Sequence, residues 1–306
     1  MPTASLRALL LGSIDYAGLF PPANLELEPA LENYGKYVRS DEVWMLGPFI
    51  LPLKEFGSTS ANLLPFDVEH RLRISALGPK SDNAADFGRA LETAAEAIQS
   101  FNGSHGATAS VDQLEMPLPA DGNAVNLAEA SASLSKLNLS AFFESSIDHA
   151  ERTIALLAEH QTSGAKTHFG MKLRTGGVIA SAFPSSVQVA RALVAAAKNQ
   201  VPIKFTAGLH HPIRGFQKDV QLMMHGFLNV LGAGVLGAEH EWDVQQSAAM
   251  LEDENAESFH FDDEIFSWRD WSIAAGQIVA RRALVTSLGS CSFDEPREDL
   301  RALGLL

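Results

Sequence analysis

Residues 167–177 read Thr167-His168-Phe169-Gly170-Met171-Lys172-Leu173-Arg174-Thr175-Gly176-Gly177, and residues 202–211 read Pro202-Ile203-Lys204-Phe205-Thr206-Ala207-Gly208-Leu209-His210-His211. Each is a short apolar run of strand length that carries one lysine and ends in a glycine turn. The two runs lie roughly thirty residues apart, the size of one βα unit. Burying an ammonium in a parallel strand is costly, because desolvation disfavours the charged form. Two such lysines in neighbouring strands therefore mark a place where the chain has a use for them.

The same rhythm extends outward in both directions. Strand-like runs are predicted near 7–13, 43–50, 70–76, 107–116, 139–144, 167–174, 202–207 and 257–262. Helical periodicity fits 28–39, 53–60, 84–101, 123–136, 146–161, 185–199, 217–237 and 270–287. Eight strands alternating with helices predict an α/β fold, a single (β/α)8 TIM-type barrel domain over residues 1–306. An extra helical insertion is expected between strands seven and eight, at 217–256. A doubly wound open sheet is the other topology of this alternation. It is disfavoured because no glycine-rich dinucleotide fingerprint opens a helix; a proline-rigid loop, Asp15 to Pro22, follows the first run instead. The segment 217–237 is apolar nearly all round, which fits either a deeply packed barrel helix or a homo-oligomer interface. The tail from Gly289 is expected to fold back over the barrel.

Composition narrows the partners. With 46% hydrophobic and 20% charged residues in 306, the chain is of ordinary globular make-up. A net charge of −14 and the lack of a basic run argue against nucleic acid and anionic membranes. The single cysteine, Cys291, excludes an internal disulfide framework. The start reads as a first strand and not as a secretory signal, and no stretch approaches the roughly twenty apolar residues of a membrane span. A cytoplasmic protein with a small-molecule substrate is the expectation.

In barrels of this type, chemistry sits at the carboxyl ends of the strands. Alternation places His168, Gly170, Lys172 and Arg174 on one face of strand six, and Lys204, Thr206 and Gly208 on one face of strand seven. Val111, Gln113 and Glu115 share a face of strand four, as Phe142 and Glu144 do on strand five. The predicted site therefore comprises Lys172, Lys204, Glu115 and Glu144 as catalytic groups. Asp15, Arg174, Thr175, Gly176, Thr206, His210, His211 and Arg214 are the substrate-binding candidates. Two neighbouring ammonium groups repel, so one lysine is expected to have a pKa lowered toward neutrality, where its amine can attack a carbonyl. The glutamates could move protons, and Arg174 and Arg214 suit an anionic group on the substrate.

The pattern Lys172-x-x-Thr175-Gly176 followed by Lys204-x-x-x-Gly208 resembles the deoxyribose-phosphate aldolase type of class I aldolase barrel. That resemblance implies a lyase in which Lys172 forms a Schiff base and Lys204 lowers its pKa, with no cofactor. The family has an aspartate on strand four where this chain offers Glu115. It binds phosphate at small turns after strands seven and eight, where this chain reads His210-His211-Pro212 and, on the predicted strand eight, Asp262-Asp263-Glu264. The segments DYAGLFPPA, KLRTGG, GLHHP and GSCSFDEP also resemble an uncharacterised bacterial protein family.

Three readings compete with this one. His210 or His211, with Glu115, Glu144 and His260, could bind a divalent metal ion for a lyase or isomerase reaction. The lysines could instead be inert, paired with Glu115 and Glu144 in a structural ion network, with Arg174 on Glu144. A non-catalytic barrel could bind a ligand or partner through the apolar segment 217–237. His225, Asn229 and Cys291 are read as packing or capping groups.

Overall fold

The thirty-residue rhythm becomes a run of strands in a computed structural model, which describes residues 1–164, 167–177, 182–218 and 221–306. In chain order these are β1 (Ile14–Tyr16), β2 (Leu46–Pro52), β3 (Leu72–Leu77), β4 (Ala109–Pro117), β5 (Ser140–Ser145), β6 (Phe169–Arg174) and β7 (Ile203–Thr206). There follow β8 (Gly215–Gln217), β9 (Leu222–Met224), β10 (Phe259–Phe261), β11 (Ile265–Trp268), β12 (Trp271–Ala274) and β13 (Val285–Ser290). Among the described residues, β1 to β7 and β13 close into a parallel barrel in the order β1-β13-β7-β6-β5-β4-β3-β2. This is the expected (β/α)8 barrel.

The helices are α1 (Ala4–Leu10), α2 (Leu27–Tyr37), α3 (Phe56–Ser60), α4 (Ala84–His105), α5 (Ala124–Leu134), α6 (Ala150–Thr162) and α7 (Ser186–Asn199). After β7 come α8 (Phe227–His240), α9 (Val244–Leu251), α10 (Ala275–Arg282) and α11 (Asp294–Ala302). Side-chain caps start several of them. Asn123 with Asn126, Ser185 with Gln188, and Asp243 with Gln246 form reciprocal capping boxes on α5, α7 and α9.

Three expectations are corrected. Residues 7–13 are mostly helix, not strand. Leu6, Leu9 and Leu10 are fully buried at helical spacing, while Leu11, which would share a strand face with Leu9, is 56% exposed. The buried Arg282 holds this helix end by donating to the Leu9 carbonyl and to those of Val285 and Thr286. Burial lowers the Arg282 pKa to about 10.

The predicted strand at 257–262 exists but lies outside the barrel, in an antiparallel sheet of order β10-β11-β12. Asp262 makes its hairpin turn by accepting from the N–H groups of Glu264 and Ile265, both at 2.7 Å. Asp262 and Asp263 bond to the backbone of Ser5 and Ala4, so they lie beside α1 and do not follow a barrel strand.

The helix predicted over 270–287 is three elements, β12, α10 and β13. A helix rich in Ala and Arg runs into the β-branched pair Val285-Thr286 with no glycine or proline to mark the change. Val285–Ser290 takes the last place in the barrel by pairing with both β1 and β7.

Among the described residues the predicted insertion at 217–256 is present, with a hairpin and two helices, α8 and α9; the small sheet and α10 follow before the eighth barrel strand, β13. Residues 219–220 of the predicted helix 217–237 lie outside the described residues. Its start is the hairpin β8–β9. Every residue from Phe227 to Leu236 of α8 is buried in the chain's own core, so this apolar segment is a barrel helix and does not offer a partner surface. A methyl group added at Gly234 would lie 2.7 Å from Val285, which shows how closely α8 approaches β13. Asn229 serves the packing: its amide donates to the carbonyls of Met250 and Asp253 and accepts from the Arg214 N–H.

Candidate active site

Parallel register brings Glu144 of β5, Lys172 of β6 and Lys204 of β7 to one level. Glu115 of β4 lies beside Phe142. Lys172 Nζ sits 2.7 Å from Glu115 Oε2 and 2.9 Å from Glu144 Oε2. Lys204 Nζ takes the other Glu115 oxygen at 2.6 Å, Asp15 Oδ2 at 2.8 Å and Gln113 Oε1 at 2.9 Å. The result is a chain of alternating sign, Asp15–Lys204–Glu115–Lys172–Glu144, with Glu115 bridging the two ammonium groups. Arg174 stands at its outer end, 3.9 Å from Glu144.

Small residues make room for this chain. A Cβ at Gly170 would meet the Phe142 ring at 2.4 Å, so the glycine lets that ring lie inside the barrel, where Lys204 Nζ stands 5.2 Å from its centroid. A Cβ at Gly47 would fall 2.0 Å from Asp15 Oδ1.

Burial and pairing act in opposite directions on these charges. Desolvation disfavours both ammonium groups, but Glu115 and Glu144 outweigh it at Lys172, and Asp15 and Glu115 outweigh it at Lys204. Both pKa values therefore rise. The expected lowering by mutual repulsion is overturned because a carboxylate stands between the lysines. Desolvation also works against the Glu115 anion, yet the two lysines hold its pKa well below the carboxylate range. At Asp15, burial wins over Lys204 and raises the pKa. Its Oδ1 has no partner among the described residues, while Oδ2 accepts from Ser287 at 2.7 Å.

The other candidates separate into groups. Thr175 ties two turns together: its N–H donates to Thr206 O at 2.9 Å and its hydroxyl to Ala207 O at 2.6 Å. Gly176 and Gly208 are packed so closely that a Cβ on Gly176 would lie 2.7 Å from the Gly208 Cα. The two glycine turns are thus one packed unit, and Gly208 has a left-handed φ of 76°. Thr206 lies beside Gly289 of β13.

His210, His211 and Arg214 are not brought to the lysines. His210 Nδ1 lies 3.8 Å from Cys291 Sγ and 3.4 Å from a Glu295 oxygen, and His211 Nδ1 lies 2.7 Å from Asp299. Arg214 faces His225 at 3.3 Å. Burial works against the His210 imidazolium, but Cys291 and Glu295 outweigh it and push its pKa up to about 9.

The metal-site expectation loses its ligand set. Glu115 and Glu144 are engaged by lysines, the two histidines by α11 and Cys291, and His260 lies on β10 beside Asp262. Among the described residues no group of three or more His, Cys, Asp or Glu side chains is arranged to hold a metal ion.

Sequence reasoning missed several members of the site. Ser75 donates to Glu115 at 2.7 Å, and Gln113 and Ser287 complete the partners of Lys204 and Asp15. Alternation along β3 could have found Ser75, but Ser287 was hidden by the misplaced eighth strand. A cavity of about 720 Å³ opens over the ends of β4, β5 and β6. Its lining includes Glu144, Arg174 and Gly176, with Lys80, His149 and Arg152 from loops and helix starts. Of the five chain-forming charges, Glu144 reaches this cavity, with 17% of its side chain exposed against 4% for Lys172.

No described helix is long and apolar enough to cross a membrane. No family model matches the sequence, and no curated protein matches it. Among solved structures, one similar chain is described as "Unique tetrameric structure of deoxyribose phosphate aldolase from Aeropyrum pernix". It is 12% identical, with a TM-score of 0.46, and the likeness covers 98% of this chain and 97% of that one. The barrel assignment rests on the strand pairing and not on this likeness.

Proposed function

We propose that the barrel is a lyase, aldolase-like in its chemistry, that acts on a small carbonyl compound through a Schiff base on Lys172. The observation that carries the proposal is the position of Lys172 Nζ, 2.9 Å beneath the one charge of the chain that opens to the cavity, Glu144. Lys204 lies one carboxylate further in.

Lys172 rests as an ammonium and must lose a proton before it can react. Glu115 is nearer but is held anionic by both lysines, so Glu144 is the acceptor, and the transfer turns an ion pair into a neutral pair with no charge left behind. The freed amine attacks the substrate carbonyl; one proton from the amine nitrogen and the one held by Glu144 go to the oxygen, which leaves as water, and Glu144 is a carboxylate again. The resulting iminium is again a cation and keeps Glu115 as its counter-ion. As Glu144 takes the proton of the β-hydroxyl, the adjacent carbon–carbon bond breaks and its electron pair passes to the iminium; Glu144 returns that proton to the enamine carbon, and water hydrolyses the iminium to free Lys172. Glu115, held anionic between two lysines, is the fixed charge of this scheme, and Lys204 positions it.

Borohydride reduction in the presence of small aldehydes and 2-oxo acids, read by peptide mass spectrometry, should leave an adduct on Lys172. Lys172→Ala should abolish it. An intact protein with no adduct from any carbonyl in the panel would falsify the scheme. A second reading is supported by the raised pKa of both lysines: the chain of charges is a structural brace, and the same experiment then yields nothing.

A further inference from the structure

We infer that the cavity over β4–β6 holds an anionic group, a carboxylate or a phosphate ester, between Lys80, Arg152 and Arg174, while the carbonyl of the same molecule faces Glu144 and Lys172. The reactive end of this substrate rests on the Schiff-base reading; the anion site does not.

The three cations reach one cavity from separate elements. Lys80 follows β3, Arg152 lies in the first turn of α6, and Arg174 ends β6. None is consumed by a close ion pair. Arg174 has 54% of its side chain exposed and stands 3.9 Å from Glu144, whose other oxygen is held by Lys172. Arg152 donates to the Ala120 carbonyl at 3.2 Å, which leaves further N–H groups of its guanidinium fork for a ligand. Among the described residues Lys80 has no ion-pair partner.

Glu144 and Asp148 are the carboxylates in the lining, so the cavity has three permanent cations against two anions. The whole chain has the reverse balance, 23 Lys and Arg against 37 Asp and Glu. A cavity whose charge opposes that of its own protein selects a ligand of the other sign. The cavity volume of about 720 Å³ lies in the ordinary range for small-molecule sites.

Isothermal titration calorimetry at fixed ionic strength, with malonate and inorganic phosphate as probes, tests the inference without turnover. Binding of either is expected, and it should weaken at least tenfold in the double variant K80Q/R152Q and in R152E. Binding of malonate alone assigns a carboxylate, and binding of phosphate alone assigns a phosphate ester. If neither ion binds, or if folded variants bind as tightly as the parent, the anion site does not exist. Anion binding with no Lys172 adduct would remove the Schiff-base reading and leave this site standing; an adduct without anion binding would do the opposite.

Discussion

Two charged clusters share the mouth of this barrel and differ in depth. The inner one runs Asp15–Lys204–Glu115–Lys172–Glu144, with Asp15, Glu115 and Lys204 at or below 1% exposure. The outer one joins His210 to Glu295 and His211 to Asp299, with side chains from 14% to 41% exposed. Both contain contacts as short as 2.7 Å, so distance does not distinguish them. Solvent does. In the inner cluster each charge depends on its neighbours, because water cannot replace a lost partner. In the outer cluster water replaces part of what a lost partner supplied, and the pairs contribute less.

The largest expected effect follows from Glu115, which serves both lysines. Glu115→Gln leaves two buried ammonium groups facing a neutral amide, a class of change that costs about 3–5 kcal/mol. Urea unfolding monitored by circular dichroism would measure it, and a loss below about 1 kcal/mol would show that water enters the cluster. The pH dependence has a definite sign. Glu115 has a folded pKa below the ordinary glutamate value of 4.5, so its stability contribution is present above that value and is lost as the pH falls. The lysines, raised above 10.5, contribute fully below that value and lose their contribution at more alkaline pH.

Asp15 at the closed end of the same chain should respond less. Its pKa is raised, so its charge already costs the fold something above the unfolded value, and Asp15→Asn removes that cost. The amide can still accept from Lys204 and Ser287, but its N–H donors arrive where Oδ1 has no partner. A net loss of about 1–2 kcal/mol is expected. A loss as large as that of Glu115→Gln would mean that the whole chain behaves as one unit, which a double-mutant cycle between the two positions would quantify.

The inner cluster was legible in the sequence and the outer one was not, for a physical reason. Period-two alternation on β4 to β7 places Glu115, Glu144, Lys172 and Lys204 inward without reference to distant residues. Apolar strand-length runs likewise reveal most of the barrel. His210 and His211 lie in a loop, and their partners stand more than eighty residues away on α11, a pairing that no local pattern carries. The eighth strand was missed because its helix leads into it without a turn residue, and Ser287 was lost with it. The expected direction of the lysine shift failed on one unread detail, namely that Glu115 inserts between the two nitrogens. Lys80 and Arg152 were invisible because loops and helix starts have no periodicity to interpret.

In the outer cluster His210 provides an effect of intermediate size. Its folded pKa of about 9 lies above the ordinary imidazole value of 6.5, so its stabilising contribution is complete below 6.5 and declines as the pH rises through 9. An undiscounted shift of this size would correspond to about 3 kcal/mol, and with its partner Glu295 41% exposed the contribution is on the order of 1–2 kcal/mol. Glu295→Gln should lower the pKa that imidazole NMR reports for His210 and flatten the fall in stability between neutral and alkaline pH. An unchanged titration would leave Cys291 as the partner that matters.

The smallest effect belongs to the pair His211–Asp299. At 2.7 Å it is as close as the contact of Lys172 with Glu115, yet its side chains are 30% and 34% exposed. Asp299→Asn keeps an acceptor for the ring nitrogen and gives up only a screened charge, so the expected change is below about 1 kcal/mol and shrinks with added salt. Comparing its salt dependence with that of Glu115→Gln isolates the role of depth, since the two contacts match in length. A salt-independent loss of several kcal/mol at Asp299 would mean that the barrel rim excludes water as fully as its interior does. The His210–Cys291–Glu295 group beside it would then have to be treated as buried.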